Sequence, residues 1–577
     1  MGNVNVTVDG IKVSVPAGST ILAAAKEAGI TVPTLCYHPD QAIKANCRVC
    51  VCEVEGQRLL AAACAMPVNE GMVIKTKSPK VIEARRTIIE LILAHHPQDC
   101  LNCIRNGVCE LQDLAAEYFI RDNPFELVVD GAPLDKSTPS LVRDPNKCVN
   151  CRRCIGACSE IQTVHALGVE NRGCHSMVVP SFGKDLIDSP CVMCGQCIHA
   201  CPVGAIYENE QIDEFLAAVA DPNMVVVTQI APAIRVAIAE LVGMTTGELD
   251  MNVFVNGLRQ VGFDYVLHTN FTADLTILEE GNELLQRLTA GKGKLPMFTS
   301  CSPGWINFAE TFYPDLLDNL STCKSPQQMF GSLAKTYWAE KMNIDPSKIY
   351  SVSIMPCTAK KYEAARPEMN ASGYRDVDLV LTTREIGRIF QMAGIDFSKI
   401  PASKFDSWMG EYTGAAVIFG ATGGVMEAAL RTVYEVVTKK TLDNVNFTVV
   451  RGMEGIKEAE VDLDGTKVKV AVGHSLGSAR KLMDQVRAGT SPYHFIEIMA
   501  CPGGCIGGGG QPLTKNNKKR AERIDAIYVE DENLPVRKSH ENQEVKKLYD
   551  EFLHEPLGHK SHELLHTHYH DKHKKLI

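Results

Sequence analysis

Cysteine is the residue type that carries most of the chemistry available to this sequence. The chain has 22 cysteines among 577 residues, and they occur in clusters rather than evenly along the chain. The first residues show no basic segment followed by an apolar one, so we expect no secretory signal. Because a reducing compartment keeps thiols free, we interpret the clusters as metal ligands rather than disulfides.

The first cluster comprises Cys36, Cys47, Cys50 and Cys64, in the spacing C-x10-C-x2-C-x13-C. Thiolates are soft ligands that suit iron–sulfur clusters. A distant first cysteine, a close pair and a distant fourth cysteine can wrap a [2Fe–2S] cluster, although the spacing is not that of plant-type ferredoxins. We predict a [2Fe–2S] site, with a structural zinc site as the alternative.

The second cluster comprises His96, Cys100, Cys103 and Cys109. One histidine and three cysteines can hold either zinc or iron. The cluster sites on both sides favour iron, so we predict a [4Fe–4S] cluster. A histidine ligand would raise its potential relative to four thiolates, as it does in Rieske centres.

The third cluster consists of two runs with the same spacing, C-x2-C-x2-C-x3-C, and Pro202 follows the second run. This is the pattern of two-cluster bacterial ferredoxins, in which the fourth cysteine of each run binds the other cluster. It predicts two further [4Fe–4S] clusters. One would be held by Cys148, Cys151, Cys154 and Cys201, and the other by Cys191, Cys194, Cys197 and Cys158.

Three further segments with cysteines lie in the second half of the chain. They are TSCSPGW at 299–305, MPCTAKKYE at 355–363 and EIMACPGGCIGGGGQP at 497–512. Four clusters in series form an electron pathway, which must lead to a reaction centre. The glycines around Cys501 and Cys505 let the backbone approach such a centre closely.

These three segments resemble the active-site signatures of the iron-only, or [FeFe], hydrogenases, and the resemblance covers essentially the whole chain. The order of the N-terminal clusters is similar to that of the long clostridial type and of catalytic subunits of multimeric NAD(P)-linked hydrogenases, including electron-bifurcating ones. The resemblance implies an H-cluster, in which a [4Fe–4S] cubane is joined through one cysteine to a two-iron subcluster with CO, cyanide and a bridging dithiolate amine. The implied reaction is 2H⁺ + 2e⁻ ⇌ H₂.

The resemblance also implies roles for single residues. Cys357 and Cys501 resemble cubane ligands, and Cys505 resembles the cysteine that joins the cubane to the diiron site. Lys360 resembles the lysine that donates a hydrogen bond to a cyanide, for which an ammonium is suited. The residues assigned to the surroundings of the diiron site are Met355, Pro356, Phe419 and Met499.

A proton path through Glu280, Glu283 and Ser321 is implied by the same resemblance. From the residues alone, the two glutamates are three positions apart on a predicted helix and share one face. Such a pair is ordinarily a solvated acidic face.

One position departs from the family pattern, which usually reads TSCCPGW. Straight alignment makes Cys301 the proton relay and puts Ser302 in the slot of a cubane ligand, where an oxygen is a harder and poorer iron ligand than a thiolate. In the alternative, the loop shifts, Cys301 binds the cubane and Ser302 relays protons. The sequence leaves both open.

The elements that must position these residues follow from the apolar pattern. Residues 4–15 predict a β-hairpin around Asp9-Gly10, and Ser19 or Thr20 can cap a helix over 21–28. From about 223, short apolar runs alternate with helical stretches, which predicts an α/β catalytic domain.

We expect α+β ferredoxin-like domains before it: a β-grasp [2Fe–2S] domain at 1–80, a small helical His-ligated domain at 81–122 and a two-cluster ferredoxin domain at 123–222. The catalytic domain, at 223–577, ends in an extension.

The extension is rich in histidine: His559, His562, His566, His568, His570 and His573. These side chains could bind a metal. We expect instead a solvated, partly helical end, which could lie at a contact with another subunit.

The bulk properties exclude several classes of function. The net charge of −10 argues against nucleic-acid binding. The most apolar stretch, at 415–430, is too short to cross a bilayer and contains Glu427, so we expect no membrane insertion and a cytoplasmic location.

The expected partners are those of an electron carrier. No G-x-G-x-x-G motif follows a strand, so NAD(P)H would be bound by a flavin/iron–sulfur subunit in a hetero-oligomer, with ferredoxin as another electron partner. The resemblance also implies maturation proteins that load the diiron site. A hydrogen sensor and an iron–sulfur assembly protein are the alternative functions, and the intact MPCTAKK segment and Met499 argue against the latter.

Overall fold

The computed structural model describes residues 2–129, 131–463 and 465–576, except for the side chains of Cys174 and Lys574. Its N-terminal part is a five-stranded sheet with the strand order β2-β1-β5-β3-β4 and one helix. The elements are β1 (Asn3–Val8), β2 (Ile11–Pro16), α1 (Ile21–Glu27), β3 (Val51–Val54), β4 (Ala61–Ala62) and β5 (Val73–Lys75).

The predicted hairpin and its following helix are present. β1 and β2 pair antiparallel, and the turn residues Asp9 and Gly10 have φ values of 45° and 86°. Glycine enters this left-handed region at little steric cost. Thr20 caps α1, because its hydroxyl accepts a hydrogen bond from the amide of Ala23.

The cysteine-rich segment that follows contains one helix of 16 residues, α2 (Pro79–Ala94), and otherwise short elements. The short elements are α3 (Glu110–Glu117), β6 (Leu141–Arg143), α4 (Arg153–Gly156), β7 (Leu167–Glu170), β8 (Met177–Pro180), α5 (Gln196–Ala200) and β9 (Ile206–Glu208). α4 and α5 begin at equivalent positions of the two cysteine runs, after the left-handed residues Arg152 (φ 61°) and Gly195 (φ 72°). The repeat in the sequence is therefore also a structural repeat.

The second half of the chain contains two four-stranded sheets rather than a single one. The first has the order β11-β10-β13-β14 and is parallel throughout, and the second has the order β12-β17-β16-β15 with one antiparallel pair. The strands are β10 (Val225–Ile230), β11 (Tyr265–His268), β12 (Met297–Phe298), β13 (Ile349–Met355), β14 (Leu379–Thr382), β15 (Ile456–Leu463), β16 (Thr466–His474) and β17 (Phe495–Met499).

Helices cover both sheets and make the strands largely buried, as the apolar runs predict. Their bounds are α6 (Ile212–Ala220), α7 (Ile234–Leu241), α8 (Met251–Gln260), α9 (Thr269–Ala290), α10 (Pro303–Phe312), α11 (Pro326–Leu333), α12 (Ala339–Met342), α13 (Ala359–Ala364), α14 (Thr383–Ala393), α15 (Gly414–Val417), α16 (Gly424–Thr438) and α17 (Leu476–Arg487). No helix of the described residues is both long and apolar enough to span a bilayer.

The C-terminal extension packs on the catalytic half. It forms α18 (Asn517–Asn533), α19 (Gln543–Leu548) and α20 (His559–Leu565). The expectation of a partly helical, solvated end is confirmed for five of the six histidines, which are exposed. His566 is the exception, because it is buried together with Leu564 and Leu565. A histidine can be buried when both ring nitrogens have partners, and this one has them.

Candidate active site

The four cysteines of the first cluster lie together as two pairs. The side chains of Cys36 and Cys47 are hydrogen-bonded to each other, and so are those of Cys50 and Cys64. The bond to Cys47 is the largest cause that lowers the pKa of Cys36 to about 5. Two thiol pairs suit a [2Fe–2S] cluster, because four cysteines leave two thiolates for each iron.

The second cluster combines a buried histidine with less buried thiols. His96 is buried, and its Nδ1 atom has no hydrogen-bond partner among the described atoms. Burial lowers the pKa of His96, which favours the neutral ring that binds metals. Cys109 is buried within electrostatic reach of Cys103, whereas Cys100 is exposed. An unpartnered, buried imidazole nitrogen fits a ligand better than a packing role.

Two cavities in the ferredoxin-like region are each lined by four cysteines. In both cavities, three cysteines come from one run and the fourth comes from the other run. The first set is Cys148, Cys151, Cys154 and Cys201, and the second is Cys158, Cys191, Cys194 and Cys197. The structure therefore brings together the same thiols as the two-cluster pattern pairs.

The spacing of the thiols distinguishes clusters from single ions. A tetrahedral ion with metal–sulfur distances of about 2.3 Å needs sulfurs about 3.8 Å apart. In the described part of the chain, no three cysteine sulfurs lie within 4.8 Å of one another. This spacing fits clusters with several irons and disfavours the zinc alternatives.

The ferredoxin-like region adjoins the third signature segment. The side-chain amide of Gln196 donates a hydrogen bond to the carbonyl of Gly507 at 2.9 Å. A Cβ atom at Gly509 would lie 2.5 Å from the carbonyl oxygen of Cys194, so only glycine permits this approach. Burial raises the pKa of Cys501, and the thiol of Cys194 contributes. The accessory thiols are thus in electrostatic contact with the catalytic half.

The three signature segments meet because each follows the carboxyl end of a strand. TSCSPGW follows β12, MPCTAKKYE begins at the end of β13, and the third segment begins in β17. β12 and β17 are parallel neighbours, and the carboxyl ends of parallel strands are where α/β sheets bind ligands. Burial, and then the charge of Cys357, raise the pKa of both Cys501 and Cys505. The three thiols therefore form one group.

Cys301 and Ser302 have different surroundings. Burial, and then the charge of Glu280, raise the pKa of Cys301. The hydroxyl of Ser302 accepts a hydrogen bond from the amide of Ala500 at 3.3 Å, next to Cys501. This geometry favours straight alignment, with Cys301 on the glutamate side and Ser302 on the side of the cubane thiols.

Lys360 is held in a fixed position beside the thiols. Its Nζ atom donates to Glu363 at 2.8 Å and to the carbonyl of Cys301 at 3.1 Å. Burial raises the pKa of Cys357 and Cys505, and the charge of Lys360 partly offsets this rise. An ammonium has three donors, so one remains for an anionic ligand.

Apolar residues border the same space. Met355 and Met499 end β13 and β17 and are each 2% exposed, and Phe419 belongs to the same core cluster as Met499. The carbonyl of Pro356 accepts a hydrogen bond from the amide of Gly510 at 2.9 Å. This bond ties the second signature segment to the third.

Two glutamines of α11 were missed by sequence reasoning. The amide nitrogen of Gln327 donates to Glu363 at 3.1 Å, but its oxygen and both polar atoms of Gln328 are buried without partners in the described structure. Buried polar groups are normally hydrogen-bonded, so the free oxygen of Gln327, whose amide nitrogen bonds to Lys360 and Glu363, fits a cofactor with polar ligands. The polar pair in SPQQMF, inside an otherwise buried helix, was the available signal.

Glu280, Glu283 and Ser321 form a buried, hydrogen-bonded group. The hydroxyl of Ser321 donates to Glu283 at 2.9 Å and lies close enough to Glu280 to influence the pKa of that carboxyl group. Burial, and then the charge of Glu283, raise the pKa of Glu280 to about 8. These glutamates are therefore not the solvated face that helix spacing alone suggests.

Three members of this group were missed. Arg287 donates to Glu283 at 2.5 Å, and the hydroxyl of Thr322 lies 3.3 Å from Glu283 and 2.8 Å from the ring of His566. The i,i+4 spacing of Glu283 and Arg287 was a signal for the first. No local pattern indicates Thr322 or His566, since 244 positions separate them.

The comparisons with known proteins agree with this arrangement. Family models match the iron-only hydrogenase large subunit, C-terminal domain, over 224–509 and the iron hydrogenase small subunit over 517–572. Others match a 2Fe-2S iron-sulfur cluster binding domain over 2–79, the NADH-ubiquinone oxidoreductase-G iron-sulfur binding region over 85–124, and the ferredoxin-like domain of NADH-quinone oxidoreductase subunit 3 over 138–207.

Individual relatives are similar over nearly the whole chain. NADP-reducing hydrogenase subunit HndD of Solidesulfovibrio fructosivorans is 49% identical over 99% of both chains. Iron hydrogenase 1 of Clostridium pasteurianum is 40% identical over 98% of this chain and 99% of its own. A structure of the [FeFe]-hydrogenase HydA1 from Chlamydomonas reinhardtii is 45% identical, with a TM-score of 0.57 over 62% of this chain and 98% of that chain. The chain belongs to the iron-only hydrogenases, the oxidoreductases that interconvert hydrogen with protons and with electrons carried by iron–sulfur clusters.

Proposed function

We propose that this chain is the catalytic subunit of an NAD(P)-linked hydrogenase with one [2Fe–2S] cluster, three accessory [4Fe–4S] clusters and one H-cluster. The convergence of three signature segments next to the accessory thiols is the observation that carries the proposal. Each accessory cluster would be held by one of the four ligand sets above. The proposed domain boundaries at 80 and 122 separate the first two sets from each other and from the two interlocked ferredoxin-like sets, and the boundary at 222 precedes the catalytic domain.

The reaction centre would be held by Cys357, Cys501 and Cys505, with Ser302 in the fourth position. When bound, the H-cluster supplies the redox chemistry that joins two electrons and two protons. The protein holds it with thiolates, orients its anionic ligands with Lys360, and excludes water with methionine and phenylalanine side chains.

Protons would reach the centre through Cys301, Glu280, Ser321 and Glu283. Each member lies within hydrogen-bonding or electrostatic contact of the next. A carboxyl group with a pKa near 8 is protonated at neutral pH, so Glu280 can donate a proton to Cys301 and be reprotonated from the outer side.

The electron partner would be a separate NAD(P)H-oxidising subunit with flavin and iron–sulfur groups, or ferredoxin. The similarity to a subunit of an NADP-reducing hydrogenase supports this proposal, as does the lack of a dinucleotide-binding motif in the sequence. The many thiols fit a reducing, cytoplasmic compartment, and maturation proteins would load the diiron site.

The test is hydrogen evolution by anaerobically matured protein. With reduced methyl viologen, we expect rapid evolution of hydrogen and infrared bands of metal-bound CO and cyanide. With NADPH or NADH as the only donor, we expect none until a flavin subunit is added. Bands without gas would contradict the enzyme and favour a sensor, and NAD(P)H-driven evolution by the chain alone would contradict the separate subunit.

A further inference from the structure

We propose that His566, in the C-terminal tail, relays protons between Glu283 and the surface, with His562 as the outer group. The histidine-rich tail would then take part in the reaction. It rests on the proposed proton path through Glu280, Ser321 and Glu283, and it extends that path to solvent.

Backbone hydrogen bonds place the tail directly beside the proposed path. Cys323 and His566 form an antiparallel bridge, and the amide of Thr567 donates to the carbonyl of Thr322 at 2.8 Å. The phenol of Tyr569 donates to the carbonyl of Ser321. The position of His566 is therefore set by bonds on both sides of it.

Hydrogen bonds connect Glu283 to His566 through Thr322, and the ring of the exposed His562 packs on that of His566. The hydroxyl of Thr322 lies 3.3 Å from Oε2 of Glu283 and 2.8 Å from Nδ1 of His566. A hydroxyl can accept a proton on one side and donate its own on the other. Nε2 of His566 lies 3.2 Å from Glu279, and its ring centroid lies 4.3 Å from that of the exposed His562.

The other neighbours of Glu283 and His566 cannot readily pass protons to solvent. Arg287 donates to Glu283, but a guanidinium does not release its proton in proteins. Glu279 is fully buried and accepts a hydrogen bond from the phenol of Tyr549 at 2.6 Å, so it orients the imidazole rather than opening to solvent. Imidazole is the side chain suited to taking up and releasing protons near neutral pH.

The relay conserves charge and protons at each step. During hydrogen evolution, a proton from solvent enters beside His562 and makes His566 an imidazolium, whose Nε2–H donates to Glu279. His566 gives a proton from Nδ1 to Thr322, which gives its own hydroxyl proton to the carboxylate of Glu283. The ring of His566 is then neutral again, and Glu283 is a carboxylic acid. Hydrogen uptake runs the same steps in reverse.

The test compares His566→Gln and Thr322→Val with His568→Gln, an exposed histidine of the same tail. In the matured enzyme with reduced methyl viologen, we expect about 10-fold slower hydrogen evolution and a larger solvent isotope effect in the first two variants. Added imidazole should restore turnover in His566→Gln. His568→Gln should keep wild-type turnover, and all three variants should keep the CO and cyanide bands.

Two outcomes would overturn the relay. One is wild-type turnover and isotope effect in His566→Gln, which would mean that Glu283 exchanges protons with water directly. The other is a slow His566→Gln that imidazole does not rescue, since a purely structural role would behave in this way. Glu283→Gln distinguishes failure of the proposed path from failure of the tail relay. If Glu283→Gln keeps wild-type turnover, the proposed path itself fails. If Glu283→Gln is slow but His566→Gln and Thr322→Val are not, only the tail relay fails.

Discussion

At the scale of single residues, burial decides which groups can do chemistry. Glu280 is 2% exposed beside a second glutamate, and its pKa is raised to about 8. An exposed glutamate has a pKa of about 4.3 and would be ionised at neutral pH. The fold thus keeps this carboxyl group protonated at neutral pH, as the proposed proton path requires.

Glu280→Gln should reduce hydrogen evolution by about 100-fold or more, because the amide cannot transfer a proton. Wild-type evolution should fall as the pH rises through about 8, where Glu280 loses its proton, and the variant should lack this decline. Methyl viologen assays across pH 6–9 measure both effects. Glu563→Gln, at an exposed position of the tail, is the control; equal activity of both variants would refute the role.

Ser302→Ala should lower the iron retained at the cubane, if the serine oxygen is its fourth ligand. Ser302→Cys should raise the retained iron above wild type, because a thiolate is the softer ligand. Iron analysis and electron paramagnetic resonance of the reduced protein measure the cubane. If Cys301→Ala loses the cubane while Ser302→Ala keeps it, the shifted loop is correct instead.

At the scale of elements, strand ends and close backbone contacts assemble the site. The signature segments meet at the ends of β12, β13 and β17, and the third segment packs against the loop that carries Cys194. Glycines of the third segment make these contacts, because glycine has no side chain and lets two backbones approach closely.

Gly509→Ala should separate this loop contact and slow electron transfer to the reaction centre. The added Cβ atom would meet backbone at 2.5 Å, which cannot move as a flexible side chain does; such overpacking costs about 1–3 kcal/mol. Gly168→Ala, where no atom lies within 4 Å of the new Cβ, is the control. Stopped-flow reduction and thermal unfolding of both variants test the prediction, and identical rates would contradict it.

At the scale of the whole molecule, the segment that matches the small-subunit model is fastened to the catalytic half. Arg431 of α16 lies between Glu427 and Asp531 of α18, at 2.8 Å from each carboxylate, and all three side chains are fully buried. A buried charge without its partner is strongly destabilising. This group therefore joins residues 517–572 to the core.

Asp531→Ala should reduce the free energy of unfolding by about 3–5 kcal/mol, because Arg431 loses one of its two buried partners. Denaturant unfolding of the matured protein measures the loss. Asp396→Ala, which removes an exposed ion pair with Lys399, should cause no measurable change. Equal stability of the two variants would show that the Arg431–Asp531 pair does not hold α18 to the core.

The sequence by itself determined the cysteine chemistry, because cluster ligands are few, soft and separated by short, specific spacings. It also indicated the hairpin and the α/β texture, which depend on local periodicity. Only the tertiary structure decided which strands share a sheet, which of Cys301 and Ser302 faces the glutamates, and that Gln328 and His566 are buried. These features depend on contacts between residues that are tens to hundreds of positions apart, and local sequence patterns do not predict such contacts.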